Sequence, residues 1–335
     1  MESMIATLIP AIEAELRRQV ARVDTPRARG FHEMLTYHMG WTGECAGPEA
    51  TGKRVRPLLA LLTAAACGAD WQPVLPAAAA IELVHSFSLV HDDIQDSSER
   101  RRGRPAVWVA WGAPMAINVG DALLMLSNLA TLDLAGNFPA ETVVAAGAIL
   151  SDSCLKLTEG QFMDMSYESR TDLRVDDYWP MVAGKTAALL SASCHLGALL
   201  AGADEGTQDS YRSFGNYLGL AFQVQDDLLG IWGDEAITGK SVASDLVEGK
   251  KSLPVLVGLS KKGAFAQRWM EGPITPLEVP GLARALAAES SYEYTHTAAK
   301  QMTDSAIDAL REANPQGEAG EALVSLAERL LRRSA

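Results

Sequence analysis

Apolar residues recur at helical spacing along most of the chain, and the strict alternation of a half-buried strand is scarce. The pattern predicts helices over Ser3–Val23, Arg54–Cys67, Pro73–Ser98, Pro114–Leu134, Ala140–Met165, Val175–Ala203, Gln208–Trp232, Ser252–Ser260, Leu277–Ala288, Tyr292–Ala313 and Ala319–Arg333. Abundant Ala, Leu, Glu and Arg supply the propensity. Pro57 falls in a first turn, where its missing N–H costs little. Gly- and polar-rich stretches predict loops at Gly40–Gly52, Arg100–Pro105, Gly230–Lys251 and Lys261–Pro276. No internal repeat or low-complexity tract interrupts the pattern. The expectation is an all-α fold, one large helical bundle with long functional loops, and residues 1–335 as a single domain.

Composition narrows the classes. The chain has 335 residues, 48% of them hydrophobic, enough for a large core. No run of 18 uninterrupted apolar residues occurs; the Ala-rich stretch Pro73–Val90 contains Glu82 and His85. Stable membrane insertion is therefore not expected, and an N-terminus without a basic-then-apolar leader makes a cytoplasmic location the expectation. A net charge of −13, from 42 acidic and 29 basic residues, argues against nucleic-acid binding. It leaves room for a small anion if the basic residues cluster. Cys45, Cys67, Cys154 and Cys194 form no CxxC pair and read as free thiols.

Two acidic clusters carry candidate chemistry. His91-Asp92-Asp93-Ile94-Gln95-Asp96 ends an apolar helix, and Asp92 and Asp96, four apart, share one face. Like charges so placed repel unless a divalent cation lies between them. Oxygen donors of this kind suit Mg²⁺, held by one or two carboxylates plus substrate phosphates. A solvated acidic helix end is the alternative for this cluster alone. Gln223-Val224-Gln225-Asp226-Asp227 places two charges in an apolar helix, where a metal or a basic partner must offset them. A buried salt bridge is the alternative there. Together the clusters suggest a facing pair around one cavity.

Basic residues complement them. Gly52-Lys53-Arg54-Val55-Arg56-Pro57 opens a helix, whose N-terminus favours anions, and Lys53 and Arg56 lie three apart. Arg100, Arg101 and Arg102 follow the first acidic cluster; Lys185 and Lys240 each sit beside Gly and Thr. His85 is two turns before Asp92 on the same face. Carboxylates for a metal beside a row of cations are what a diphosphate site requires.

HDDIQD followed by RRGRP, with GKRVRP upstream and FQVQDD downstream, resembles the trans-type polyprenyl diphosphate synthases, farnesyl and geranylgeranyl diphosphate synthases among them. The motifs run from Gly52 to about Lys251. The resemblance implies the type I isoprenoid synthase fold, helices around a central cavity, and a homodimer. It implies isopentenyl diphosphate and an allylic diphosphate as substrates, with three Mg²⁺. Asp92, Asp93 and Asp96 look like the first aspartate-rich motif, with Asp92 and Asp96 direct Mg²⁺ ligands. Asp226 looks like the ligand from the second motif, supported by Asp227. Lys53, Arg56, His85 and Arg102 resemble the isopentenyl diphosphate pocket. Arg101, Lys185 and Lys240 resemble the clamp on the allylic diphosphate. Gln161 and Asp164 match the family's EGQxxD signature, Thr186 and Gln223 lie near the reacting carbons, and Lys250 matches a basic residue on a closing loop. The chain departs from the family at Gly230, where the second motif's last Asp is missing; Asp234 is a nearby substitute.

The implied reaction is ionisation, condensation and elimination, driven by positioning and electrostatic stabilisation. Product length is expected to depend on Phe87 and Ser88, just before the first motif. An aromatic followed by a small residue resembles geranylgeranyl (C20) synthases; farnesyl (C15) and geranylfarnesyl (C25) products are the alternatives. A type I terpene cyclase shares the aspartates but needs no second diphosphate pocket. A non-catalytic partner subunit tends to lose aspartates, and only the Gly230 position is missing here.

Overall fold

In the computed structural model, described for residues 2–233 and 244–331, the chain is helical nearly throughout. The first eleven α-helices are α1 (Glu2–Val20), α2 (Arg29–His38), α3 (Pro48–Thr51), α4 (Val55–Ala66), α5 (Leu75–Gln95), α6 (Val107–Trp111), α7 (Ala113–Leu132), α8 (Ala140–Tyr167), α9 (Val175–Val182), α10 (Ala188–Leu200) and α11 (Glu205–Trp232). Ser244–Glu248, Leu253–Lys261, Ala264–Trp269, Val279–Ala288, Ser291–Glu312 and Gly317–Leu331 follow. Among the described residues the only sheet is a hairpin pairing Arg100–Arg101 with Arg104–Pro105. The all-α expectation holds.

The differences from the predicted spans have local causes. The predicted helix Val175–Ala203 is interrupted by a π-helical segment at Ala183–Ala187. Helix α4 begins one residue late because Arg54 takes a left-handed conformation, φ +48°. Helix α2 was not predicted; it is only 10 residues long and buries only Leu35 and Thr36. Ala264–Trp269 forms a helix inside a predicted loop because Phe265 and Ala266 are buried there.

The chain divides into two compact units, one of Met1–Ser151, Ser193–Gln208 and Pro315–Leu323, the other of Asp152–Ala192, Asp209–Asn314 and Val324–Ala335. In the first, α5 is buried almost all round, as expected of a central helix. It packs on α1, α4 and α7; Ile81, Leu83 and Val84 on it, and Leu16, Leu59 and Leu123 on those three helices, are all buried. In the second, Tyr178, Met181, Leu220, Val224, Leu253 and Leu256 form one cluster, and Val255, Phe265, Leu282 and Leu286 belong to another.

Two segments are long and apolar enough to cross a membrane by length and composition alone, Gln72–Gln95 and Ala113–Gly136. The first is core, 72% buried. The second is 44% buried and leaves Met115, Ile117, Met125, Leu129 and Leu132 exposed.

One charged cluster lies inside the first unit's core. Arg54 is 3% exposed and Glu82, on α5, is 2% exposed. Arg54 Nη1 donates to Glu82 Oε1 at 2.8 Å, Nε to Glu13 Oε1 at 2.6 Å and Nη2 to the Met39 carbonyl at 3.3 Å. Removing one partner of such a pair strands a buried charge, at a cost of ~3–5 kcal/mol. Glu82→Ala is predicted to lose stability on that scale in chemical denaturation. Glu13→Ala, whose carboxylate keeps 21% exposure, should lose clearly less; equal losses would contradict the assignment.

Candidate active site

The cationic loop of the first unit is built around that buried guanidinium. Gly52 and Arg54 both take positive φ, +80° and +48°, so the chain turns sharply before α4. Arg54 is buried on Glu82 and Glu13, and it lines a pocket of about 650 Å³ with Lys53, Arg56, His85 and Arg102 and with the acidic Glu49 and Glu82. All four residues expected to hold isopentenyl diphosphate are thus drawn together. Arg56 Nη1 lies 3.2 Å from His85 Nε2. A guanidinium only donates, so Nε2 accepts and the His85 ring is neutral. Burial, reinforced by Arg56 and Arg102, holds the His85 pKa well below the usual range. Among the described residues Arg56 Nε is buried without a hydrogen-bond partner. Burial also lowers the pKa of Arg56 and Arg102; both remain charged, and an anion that joins them offsets the cost of desolvation.

Arg102 occupies a two-residue hairpin turn in which it and Gly103 have φ of +51° and +75°, the signature of a type I′ turn. From there its Nη1 donates to the carbonyls of Ala50 and Thr51 at 2.9 and 2.7 Å. A Cβ on Gly52 would lie 2.6 Å from the Arg102 Cζ. Gly52 is therefore required by its φ, and the Arg102 guanidinium packs against it.

Asp92, Asp93 and Asp96 close α5. The last turn holds no basic residue, so these carboxylates sit at the negative end of the helix dipole, where a cation is favoured. Asp93 is 2% exposed and accepts from Arg101 Nε at 3.0 Å and Nη2 at 2.5 Å. Burial pushes its pKa up while Arg101 opposes the shift. Asp93 thus orients Arg101. Asp92 is half-buried and Asp96 exposed. Among the described residues no group of three or more His, Cys, Asp or Glu forms a ready metal cage. Magnesium shared between two carboxylates and substrate phosphates needs none, so the oxygen donors of Asp92 and Asp96 fit such an ion. Nearby, the Phe87 ring is buried edge-on to His91, centroids 4.9 Å apart, and Ser88 Oγ donates to the His85 carbonyl at 2.9 Å.

In the second unit, Lys185 and Thr186 lie on the π-helical segment, a feature frequent at functional sites. Lys185 Nζ pairs with Asp164. A Cβ on Gly160 would run into the Lys185 backbone nitrogen, which explains the glycine in Glu159-Gly160-Gln161: α8 meets the segment backbone to backbone. Gln161 is buried. Thr186 Oγ1 donates to Gln223 Oε1 at 2.9 Å, and Gln223 Nε2 donates to Asp227 Oδ1 at 3.0 Å. Asp227 Oδ2 accepts from the Tyr178 hydroxyl at 2.7 Å and the Leu253 N–H at 3.0 Å. Asp227 is thereby a buried strut, with Asp226 half-buried beside it. Burial pushes the Asp227 carboxyl up to about 7, against the pull of its three donors.

The missing aspartate has a structural counterpart. A Cβ on Gly230 would run into the Asp245 carboxylate, so that carboxylate occupies the space a side chain at 230 would need. Lys250, predicted on the closing loop, donates its backbone N–H to the Asp245 carbonyl at 3.0 Å and pairs through Nζ with Glu248 at 2.6 Å. Asp234 and Lys240 lie outside the described residues. Sequence reasoning missed Asp245 and Tyr178. Tyr178 carried a signal, a hydroxyl at a core-facing position; Asp245 carried none, because only folding brings it to Gly230.

The family model for polyprenyl synthetase matches residues 47–271. The chain is 44% identical to the (2E,6E)-farnesyl diphosphate synthase of Mycobacterium bovis over 259 residues, 77% of this chain and 70% of that one. It is 46% identical to the geranylgeranyl diphosphate synthase of Mycobacterium tuberculosis over 235 residues, 70% of this chain and 66% of that one. Among solved structures, the polyprenyl synthetase from Streptomyces coelicolor A3(2) superposes with a TM-score of 0.88 at 36% identity, covering 98% of this chain and 99% of the other. A geranylgeranyl pyrophosphate synthase from Corynebacterium glutamicum, solved with isoprenyl diphosphate and magnesium, gives 0.84 at 26% identity over 99% of each chain. The chain belongs to the polyprenyl synthetase family. It is a prenyltransferase of isoprenoid biosynthesis, of the short-chain kind its relatives represent.

The Asp227 strut gives a pH test. Its folded-state pKa of about 7 lies above the ordinary 3.8, so between these values the native state holds a proton the unfolded chain has lost. Stability from this group is full at low pH and is lost as pH rises through about 7. The stability of the wild type minus that of Asp227→Asn, measured by denaturation from pH 5 to 8, is predicted to fall across that interval and then flatten. A difference independent of pH would contradict the assignment.

Proposed function

We propose that the chain condenses isopentenyl diphosphate with an allylic diphosphate in a magnesium-dependent reaction, ending at geranylgeranyl diphosphate. The observation that carries the reading is the pocket of Lys53, Arg56, His85 and Arg102, with the unpartnered Arg56 Nε inside it. Cations held in place before the ligand arrives, one with an unsatisfied donor, match a diphosphate that accepts at several oxygens. A cyclase needs no such pocket.

Within this reading Lys53, Arg56 and Arg102 bind the isopentenyl diphosphate, and the neutral His85 supports Arg56. Arg101, oriented by Asp93, and Lys185, held by Asp164, take the allylic diphosphate. Asp92, Asp96 and Asp226 hold magnesium, three ions by family resemblance, which when bound supplies neutralisation of the diphosphate charge. The allylic carbon–oxygen bond breaks and its electron pair leaves with the diphosphate. The isopentenyl double bond attacks the allylic carbon, and a proton passes to the departing diphosphate as the new double bond forms. Thr186 and Gln223, tied to each other, border the reacting carbons.

Product length rests on Phe87 and Ser88. Phe87 is buried and braced by His91, and Ser88 is small and satisfied within its own helix. Phe87 therefore sets the limit. Purified protein with Mg²⁺, labelled isopentenyl diphosphate and C5, C10 or C15 allylic diphosphates is predicted to yield a C20 product. Phe87→Ala is predicted to yield longer chains. A wild-type end product of C15 or C25 would reject the length assignment. An allylic diphosphate turned into hydrocarbon without consumption of isopentenyl diphosphate would reject the synthase reading.

The exposed apolar residues of α7 support a homodimer. Met115, Met125 and Leu132 are 46%, 54% and 62% exposed, several large apolar side chains on one helix that an interface would cover. Light scattering is predicted to give a dimer for the wild type and a monomer for Met125→Glu/Leu129→Glu. A monomeric wild type would contradict it.

A further inference from the structure

A second pocket, of about 630 Å³, lies within the second unit and shares no residue with the sets assigned above. Leu173, Leu259, Trp269 and Met270 give it apolar walls, and Arg170, Arg174, Lys251 and Lys262 also line it. Among the described residues the one carboxylate in the lining is Asp172, and Arg170 already holds it through bonds of 2.9 and 2.9 Å. The chain as a whole has 42 acidic residues against 29 basic, so a pocket with four cations and one carboxylate runs against its overall charge.

Arg174, Lys251 and Lys262 take part in no ion pair among the described residues. Lys251 Nζ rests over the Trp269 ring, 4.9 Å from its centroid, so one cation is already seated on the apolar wall. Burial lowers the Lys251 pKa. Met270 is 67% exposed, leaving the apolar wall open to a ligand. Cations joined to an apolar wall fit an anionic head attached to an apolar chain. The volume suits one such chain and is within the range of small-molecule sites.

We propose that this pocket binds a prenyl diphosphate as a ligand, apart from the condensation chemistry. The diphosphate lies against Arg174, Lys251 and Lys262, and the isoprenoid chain runs along Leu173, Leu259 and Trp269. That the ligand is the enzyme's own class of product rests on the proposed function; the match to an anionic head on an apolar chain rests on the pocket alone.

The test is equilibrium dialysis of the full chain with labelled farnesyl diphosphate in excess EDTA, which removes the metal that condensation needs. Arg174→Glu/Lys262→Glu changes two exposed side chains outside the assigned catalytic set. It is predicted to weaken this binding roughly ten-fold or more, with the condensation kcat unchanged. Lys53→Ala/Arg56→Ala is predicted to leave one equivalent bound. Unaltered affinity in the Arg174/Lys262 variant would overturn the proposal. So would inorganic diphosphate competing as strongly as farnesyl diphosphate, which would reduce the pocket to a simple anion site. Loss of binding to phosphatidylglycerol vesicles with farnesyl diphosphate affinity retained would assign the cations to a lipid headgroup and overturn it as well. The dialysis reads out even if the chain performs no condensation, so the two readings fail separately.

Discussion

A guanidinium buried at the start of α4 is the constraint on which the first unit's chemistry depends. Arg54 can enter the core only because Glu82 and Glu13 meet it with good geometry, and an ion so placed is tolerated only when paired. Its inward course, with the positive φ at Gly52 and Arg54, determines which of the clustered cations remain for a ligand. Lys53, Arg56 and Arg102 do, and one residue of register shift would bury the wrong charge. The charge left in the pocket is poorly solvated, as the lowered pKa values of Arg56 and Arg102 show. Stability of the core and affinity for an anion are thus set by the same few residues.

The second unit solves its positioning problem with backbone contact and a buried carboxylate. Gly160 lets α8 touch the π-helical segment that carries Lys185 and Thr186. Asp227 gathers Gln223, Tyr178 and the Leu253 N–H, joining three elements at a buried point. Pre-organisation of this kind matters in a reaction whose catalysis is chiefly electrostatic, since dipoles fixed beforehand need not reorganise when charge develops. The adjacent carboxylates have different tasks: Asp93 and Asp227 are buried and spent on internal partners, while Asp92 and Asp226 keep partial exposure.

Much of this was legible in the amino-acid order because it is local. A long apolar run marks α5, helical periodicity marks α11, and the i, i+4 spacing of Asp92 and Asp96 is a property of any helix. The cationic pocket was legible only through family resemblance, since the meeting of Lys53, Arg56, His85 and Arg102 needs the hairpin turn at Arg102 and the Gly52 loop to fold against each other. What escaped was tertiary. The π-helical break inside Val175–Ala203 lies where that segment meets Gly160. The Asp245 carboxylate against Gly230 follows from the return of a distant segment, and no pattern around either residue announces it. Helix Ala264–Trp269 was hidden because it is short and flanked by residues typical of loops.

The central claim is that the first-unit pocket receives isopentenyl diphosphate as a second substrate. Steady-state kinetics of Arg56→Ala, with each substrate varied in turn, tests it most directly. Loss of charge-assisted hydrogen bonds worth ~1.5–3 kcal/mol is predicted to raise the KM for isopentenyl diphosphate roughly ten- to a hundred-fold, with the KM for the allylic diphosphate little changed. A rise confined to the allylic substrate, or none for either, would contradict the account.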